Sequence, residues 1–190
     1  HALWTLTIHV FNIKAADDYY NRILTDWNDN NSSNNNANKT YQGVILPGSY
    51  SSAYETNVPW MERLKTFIQE VVVPGQIPTL GICFGHQIMA QALPGGRVEP
   101  VTTLIANDNH RTKKSPRAGR VTMNTTAAGQ DLLGGQTNVD LFVTHGDHVV
   151  RVPTTTTISA KNTMIRAVSL GGDDHVPIQA VAYYVTATTA

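Results

Sequence analysis

A single cysteine stands where the chain passes from an apolar run to a helix-spaced one. Ile77 to Ile82 reads as a buried strand. From about Phe84, Ile88, Met89 and Leu93 recur at helical spacing. Between them lies Gly81-Ile82-Cys83-Phe84-Gly85. A small residue on each side lets the chain turn sharply, so the apex side chain is held out of the core on a constrained backbone. A sulfur at that apex meets the unsatisfied N–H groups and positive dipole end of the following helix, which favour the nucleophilic thiolate. The chemistry this suggests is attack on a carbonyl carbon.

A second small-residue turn, Pro47-Gly48-Ser49, ends another apolar run, Tyr41 to Leu46. In α/β sheets, ligands gather at the carboxyl ends of strands. A glycine there lets main-chain N–H groups approach a substrate oxygen. Farther on, Val139 to Thr144 reads as a strand leading into His145-Gly146-Asp147-His148.

These stretches resemble the class I (triad) glutamine amidotransferases, most closely the stand-alone GMP-synthase-like and γ-glutamyl peptidase branches. The likeness rests on Gly81 to Gln87, on Tyr41 to Ser49 and on Thr144 to Asp147, and covers about residues 40–182. It implies a three-layer, flavodoxin-like α/β fold, an open and mostly parallel sheet with helices on both faces. It also implies hydrolysis of a γ-glutamyl amide, glutamine or a γ-glutamyl peptide, through a thioester on Cys83. By the same resemblance, the N–H groups of Gly48 and Phe84 form the oxyanion hole. Gln87, Ser49 and His145 adjoin the substrate, and the His-Gly-Asp is mainly structural.

The family's histidine and glutamate stand in a His-Pro-Glu after a late strand. Tyr184 and Thr186 occupy those two positions here. A phenol with a pKa near 10 is a poor base at neutral pH, and threonine cannot orient an imidazolium by charge. Three explanations remain open. The chain is a catalytically impaired relative that binds a γ-glutamyl ligand or a protein, a rescuing base such as His145 or His175 reaches the cleft, or the Thr- and Ala-rich run from Val185 to Ala190 is not the natural continuation.

The elements that must position these residues follow from pattern and composition. With 190 residues, 41% hydrophobic and 15% charged, the chain suits one domain over 1–190. A formal net charge of zero argues against nucleic acid or an anionic membrane as partner. No apolar run reaches the roughly 18 residues of a membrane span. One cysteine forms no internal disulfide, which points to a reducing, cytoplasmic setting. No metal or cofactor is expected, although a free N-terminal His1 would offer copper an amine and an imidazole. Without an ATP-binding loop, any ammonia-accepting synthetase would be a separate protein.

In chain order, Leu3 to Val10 suits a first strand, and Ala15 to Trp27 an amphipathic helix. Asp26 to Lys39 is a low-complexity surface loop. A helix begins at Pro59, with Trp60, Leu64, Phe67, Ile68 and Val71 on its core face. The basic stretch from Asn107 to Arg120 reads as a solvated loop. Gly119 to Asn124 is a strand and Ala127 to Leu133 a short helix. Val149 to Pro153, Thr157 to Ala160, Ile165 to Ser169 and Pro177 to Tyr184 complete a β-rich second half.

Overall fold

The computed structural model describes residues 7–14, 21, 23, 43–105, 108–114, 116–158 and 163–187. The chain divides into two units, His1–Tyr41 and Gln42–Ala190. In the first, Asn21 and Ile23 are helical, within the span expected for the amphipathic helix. The expected strand at Leu3 to Val10 is not seen where it is described: Thr7 to Val10 is irregular, with Ile8 and Val10 exposed. Alternation alone does not make a strand, and these residues have no ladder partner among the described residues. His1 and the loop at 26–39 lie outside the described residues.

The second unit opens with the pair that carries the elbow. β1 (Val44–Leu46) lies parallel to β2 (Thr79–Gly81), with Leu46 opposite Gly81. Between them, Pro59 presets the first turn of α1 (Pro59–Phe67), which buries Met61, Leu64 and Phe67. A π-helical turn, Ile68–Val72, then buries Ile68, Val71 and Val72. The widened turn keeps these apolar side chains on the inner face as the helix ends. After β2 the chain passes through Cys83 into α2 (Phe84–Ala92), whose buried residues include Phe84, Gln87, Ile88 and Met89. The Trp60 and Phe84 rings pack with centroids 5.7 Å apart, tying α1 to the start of α2.

Beyond α2 the pairing among the described residues is antiparallel. β3 (Arg97–Pro100) pairs with β8 (Asp147–Arg151). β4 (Thr102–Ile105) pairs with β5 (Asp108–Lys114). The basic stretch is therefore largely strand rather than loop, because cross-strand pairing overrides a polar composition. β6 (Arg117–Thr125), β7 (Asn138–His145), β10 (Thr163–Gly172) and β11 (Ala180–Ala187) form one sheet in the order β11-β10-β6-β7, with β9 (Thr156–Ile158) also on β10. The short helix α3 (Ala127–Leu132) starts at Thr126, whose side chain accepts from the Gly129 N–H at 3.1 Å.

The turn at Cys83 is fixed by close backbone approach. A Cβ on Gly85 would sit 1.8 Å from the Leu46 carbonyl oxygen, and one on Gly81 would sit 2.7 Å from the Gly85 carbonyl. The Ile82 N–H donates to the Leu46 carbonyl at 2.9 Å, and the Gly85 N–H reaches the carbonyls of Pro47 and Ile82. With both ends held, Cys83 is left at φ 54°, ψ −111°, a conformation that costs an L-residue about 1–3 kcal/mol.

Three outcomes follow for stability. Gly85→Ala forces a methyl into the backbone of β1 and should cost about 3 kcal/mol in urea unfolding. Cys83→Gly relieves the strained φ and, after the entropy of the added glycine, should gain about 1 kcal/mol. His86 is pushed down from 6.5 to about 4 by burial, with the nearby His145 adding to the shift. The unfolded chain therefore binds the extra proton between those values, and stability should fall by about 3 kcal/mol as pH drops from 6.5 to 4. His86→Gln should flatten that slope.

Candidate active site

The elbow opens on a cavity of about 460 Å³ between β2, the start of α2 and the ends of β7, β8 and β11. Cys83, His86, Gln87, His145, Asp147 and His148 all line it. The Cys83 thiol points to the Thr144 carbonyl, 3.8 Å away, a weak hydrogen bond toward the residue that precedes His145. Gly48 lies directly against Cys83: a Cβ there would be 3.5 Å from the Cys83 Cβ and 3.8 Å from Sγ. The main-chain N–H groups of Gly48 and Phe84 have no hydrogen-bond acceptor among the described residues.

Asp147 organises the wall opposite the helix. Its buried carboxylate accepts from the Ser52 hydroxyl at 2.6 Å and the Tyr54 hydroxyl at 3.1 Å. Its carbonyl accepts from Gln87 Nε2 at 2.8 Å and lies 3.1 Å from His145 Nδ1. A buried carboxylate so paired holds the loop at 51–54, the helix and the β7–β8 turn at one point. Ser52, Tyr54 and the Asp147 carbonyl have no pattern of their own in the sequence. Only the acidic partner, within His-Gly-Asp, was visible there.

Three imidazoles are among the residues lining the cavity. His86 Nε2, His145 Nε2 and His148 Nδ1 are buried without a hydrogen-bond partner. Burial is the main force holding all three below the usual histidine value, so each is largely neutral at pH 7. Around His145, the Asp147 carbonyl and the Asp173 and Asp147 carboxylates oppose that shift, while Arg117 adds to it. Arg117 in turn grips Asp173 with contacts of 2.7 and 2.8 Å. Burial pushes the Asp173 carboxyl up, but Arg117, the Val176 and His175 N–H groups and Gln179 outweigh it and hold it at about 2. No group of His, Cys, Asp and Glu that could hold a metal occurs among the described residues.

Of the residues singled out from sequence, Cys83, Gln87 and His145 are brought together on this cavity, with Gly48 and the Phe84 amide beside the sulfur. Ser49 does not line it; its hydroxyl accepts from the Ser51 N–H at 3.2 Å. Tyr184 and Thr186 are also elsewhere. Tyr184 sits in β11 opposite Arg166, whose guanidinium lies 5.0 Å from the ring centroid, and Thr186 is exposed opposite Met164. His175 is exposed, and its main-chain N–H donates to Asp173 at 2.8 Å. Arg117 and Arg120, from the basic stretch, are paired with Asp173 and Asp140.

In sequence and fold the chain is similar to known proteins. The sequence profile described as "Glutamine amidotransferase class-I" matches residues 15–181. A glutamine-hydrolysing GMP synthase of Leifsonia xyli is 39% identical over 118 residues, 62% of this chain and 20% of the relative. A γ-glutamyl-L-1-hydroxyisopropylamide hydrolase of a Pseudomonas species is 31% identical over 132 residues, 68% of this chain and 42% of the relative. The chain thus spans less than half the length of either. A glutamine amidotransferase crystal structure from Thermotoga maritima superposes with a TM-score of 0.57 at 22% identity, covering 79% of this chain and 55% of that one, which establishes a shared flavodoxin-like α/β fold. With most of its length matched by that profile, the chain belongs to the class I glutamine amidotransferase family.

Proposed function

We propose that this domain hydrolyses a γ-glutamyl amide, glutamine or a γ-glutamyl peptide, through a thioester on Cys83. The observation that carries the reading is the juxtaposition at the elbow: a thiol on a backbone held at positive φ, with the unspent N–H groups of Gly48 and Phe84 beside it. An amide is a poor electrophile, and its carbonyl becomes attackable when the oxygen's developing charge meets preset donors. Gly48 stands within van der Waals reach of the thiol: a Cβ there would lie 3.5 Å from the Cys83 Cβ and 3.8 Å from Sγ. Phe84 opens α2, so its N–H lies in the helix's first turn, outside the internal hydrogen-bond ladder. Gln87, with its amide nitrogen bonded to the Asp147 carbonyl, holds the cavity wall against which the γ-glutamyl chain lies. Ser49 acts one step removed, by shaping the Gly48 loop.

A separate protein that accepts the released ammonia is the partner this reading implies. The GMP synthase relative is glutamine-hydrolysing by name, and the Pseudomonas relative is named for cleaving a γ-glutamyl alkylamide. Both names fit a γ-glutamyl substrate class. A cytoplasmic setting suits a free thiol nucleophile. No helix among the described residues is long and apolar enough to cross a membrane.

A second reading, a γ-glutamyl-binding module without turnover, draws on one observation. The two family positions held by Tyr184 and Thr186 supply no base and do not line the cavity. Ammonia release from glutamine and amine release from γ-glutamyl alkylamides, each followed with intact mass spectrometry, separate the two. Hydrolysis predicts product release, a trapped mass increase of one glutamyl group on Cys83, and a loss of about 10³-fold or more in Cys83→Ser. Saturable γ-glutamyl binding with neither product nor adduct would establish the module instead.

A further inference from the structure

We propose that His145 is the general base and acid of this site, replacing the histidine whose family position is held by Tyr184. The inference rests on the Cys83 hydrolase reading given above. Its basis is orientation. His145 Nδ1 lies 3.1 Å from the Asp147 carbonyl, an acceptor only, so Nδ1 carries the proton and Nε2 carries the lone pair. That Nε2 is buried, has no partner, and belongs to a residue lining the same cavity as Cys83. The thiol already points at the carbonyl of Thr144, one residue before His145. An imidazole held at one nitrogen by an acceptor and unpartnered at the other, on a cavity that the thiol also lines, has the tautomer general base catalysis needs.

The alternative bases are less suited. His86 is held so low by burial that its neutral ring is a weak base. His148 has no hydrogen bond that fixes its tautomer among the described residues, and its Nδ1 is buried without a partner. Tyr184 stacks on Arg166, and His175 is exposed with its N–H on Asp173. The groups that set the charge around His145 come from four elements: Arg117 on β6, Asp173 after β10, Asp147 and His148 on β8, and His86 on α2. The two carboxylates stabilise the imidazolium formed during reaction, and Arg117 opposes it.

In the forward step the Sγ proton passes to His145 Nε2, directly or through one water, as the S–C bond forms. The carbonyl electron pair moves to oxygen. Collapse restores the C=O bond, breaks C–N and returns the proton from Nε2 to the leaving nitrogen. Water then gives a proton to Nε2 as it attacks the thioester, and the C–S bond breaks. The thiolate recovers that proton, and glutamate leaves. Ser52 and Tyr54 are positioning residues in this scheme, acting through Asp147.

The test uses the full chain, with a γ-glutamyl chloroketone and iodoacetamide as Cys83 probes and glutamine as substrate. His145→Asn keeps a donor near the Nδ1 position but removes the base, and His145→Gln is read alongside it for folding, both checked by circular dichroism. The expected result is a loss of about 10²- to 10⁴-fold in kcat and in chloroketone labelling, with KM little changed and His175→Gln like the unmodified chain. Imidazole added to His145→Gly should restore part of the rate, which a merely structural role would not allow. Folded His145→Asn or His145→Gln acting at the normal rate overturns the inference and leaves the Cys83 reading standing. An unmodified chain with an unreactive Cys83 and no turnover overturns both. Nitrogen NMR of the unmodified chain checks the basis independently: Nδ1–H is expected at His145, and Nε2–H contradicts it.

Discussion

The structure turns on one close approach of two backbones. Gly85 lies so near the Leu46 carbonyl, and Gly81 so near Gly85, that neither position has room for a side chain. The hydrogen bonds from Ile82 to Leu46 and from Gly85 to Pro47 hold the contact shut. Cys83, caught between them, takes a positive φ that no relaxed neighbour would impose. Strain of this kind persists only when the surroundings over-determine it, and here both strands and the helix do so. The proposed chemistry depends on where that leaves the sulfur.

The second organising group is Asp147, which is bound from both ends. Its carboxylate collects Ser52 and Tyr54, while its carbonyl collects Gln87 and faces His145. The loop after β1, the helix after the elbow and the turn after β7 are thereby locked to one residue. A buried carboxylate is costly unless so paired, which is why the loop and the turn hold their positions together. The neutral histidines around it then supply polar atoms without adding charge to a half-enclosed space.

Much of the site was legible because it depends on local backbone rules. Gly81-x-Cys83-x-Gly85 between an apolar run and a helical one already implies a turn too tight for side chains. The Pro59 start of α1 was likewise readable from proline chemistry, and the short helix expected over Ala127 to Leu133 is found at Ala127–Leu132. What was not legible depends on pairing at a distance. The basic segment joins a ribbon because β4 pairs with it, whereas Thr7 to Val10 is in no sheet among the described residues. Ser52 and Tyr54 gain meaning only when Asp147, more than ninety positions later, folds against them. The substitution of Tyr184 was visible as a letter, but its place over Arg166, away from the cavity, required the register of β10 with β11.

The proposed hydrolysis requires that the sulfur and two amides together receive a carbonyl that becomes negative. A crystal structure of the full chain after reaction with a γ-glutamyl chloroketone measures this directly. The predicted result is a covalent bond to Cys83 Sγ, with the ketone-derived oxygen within hydrogen-bond distance of both the Gly48 and the Phe84 nitrogens. An adduct whose oxygen points away from those nitrogens, or a sulfur left unmodified while other residues react, would contradict it.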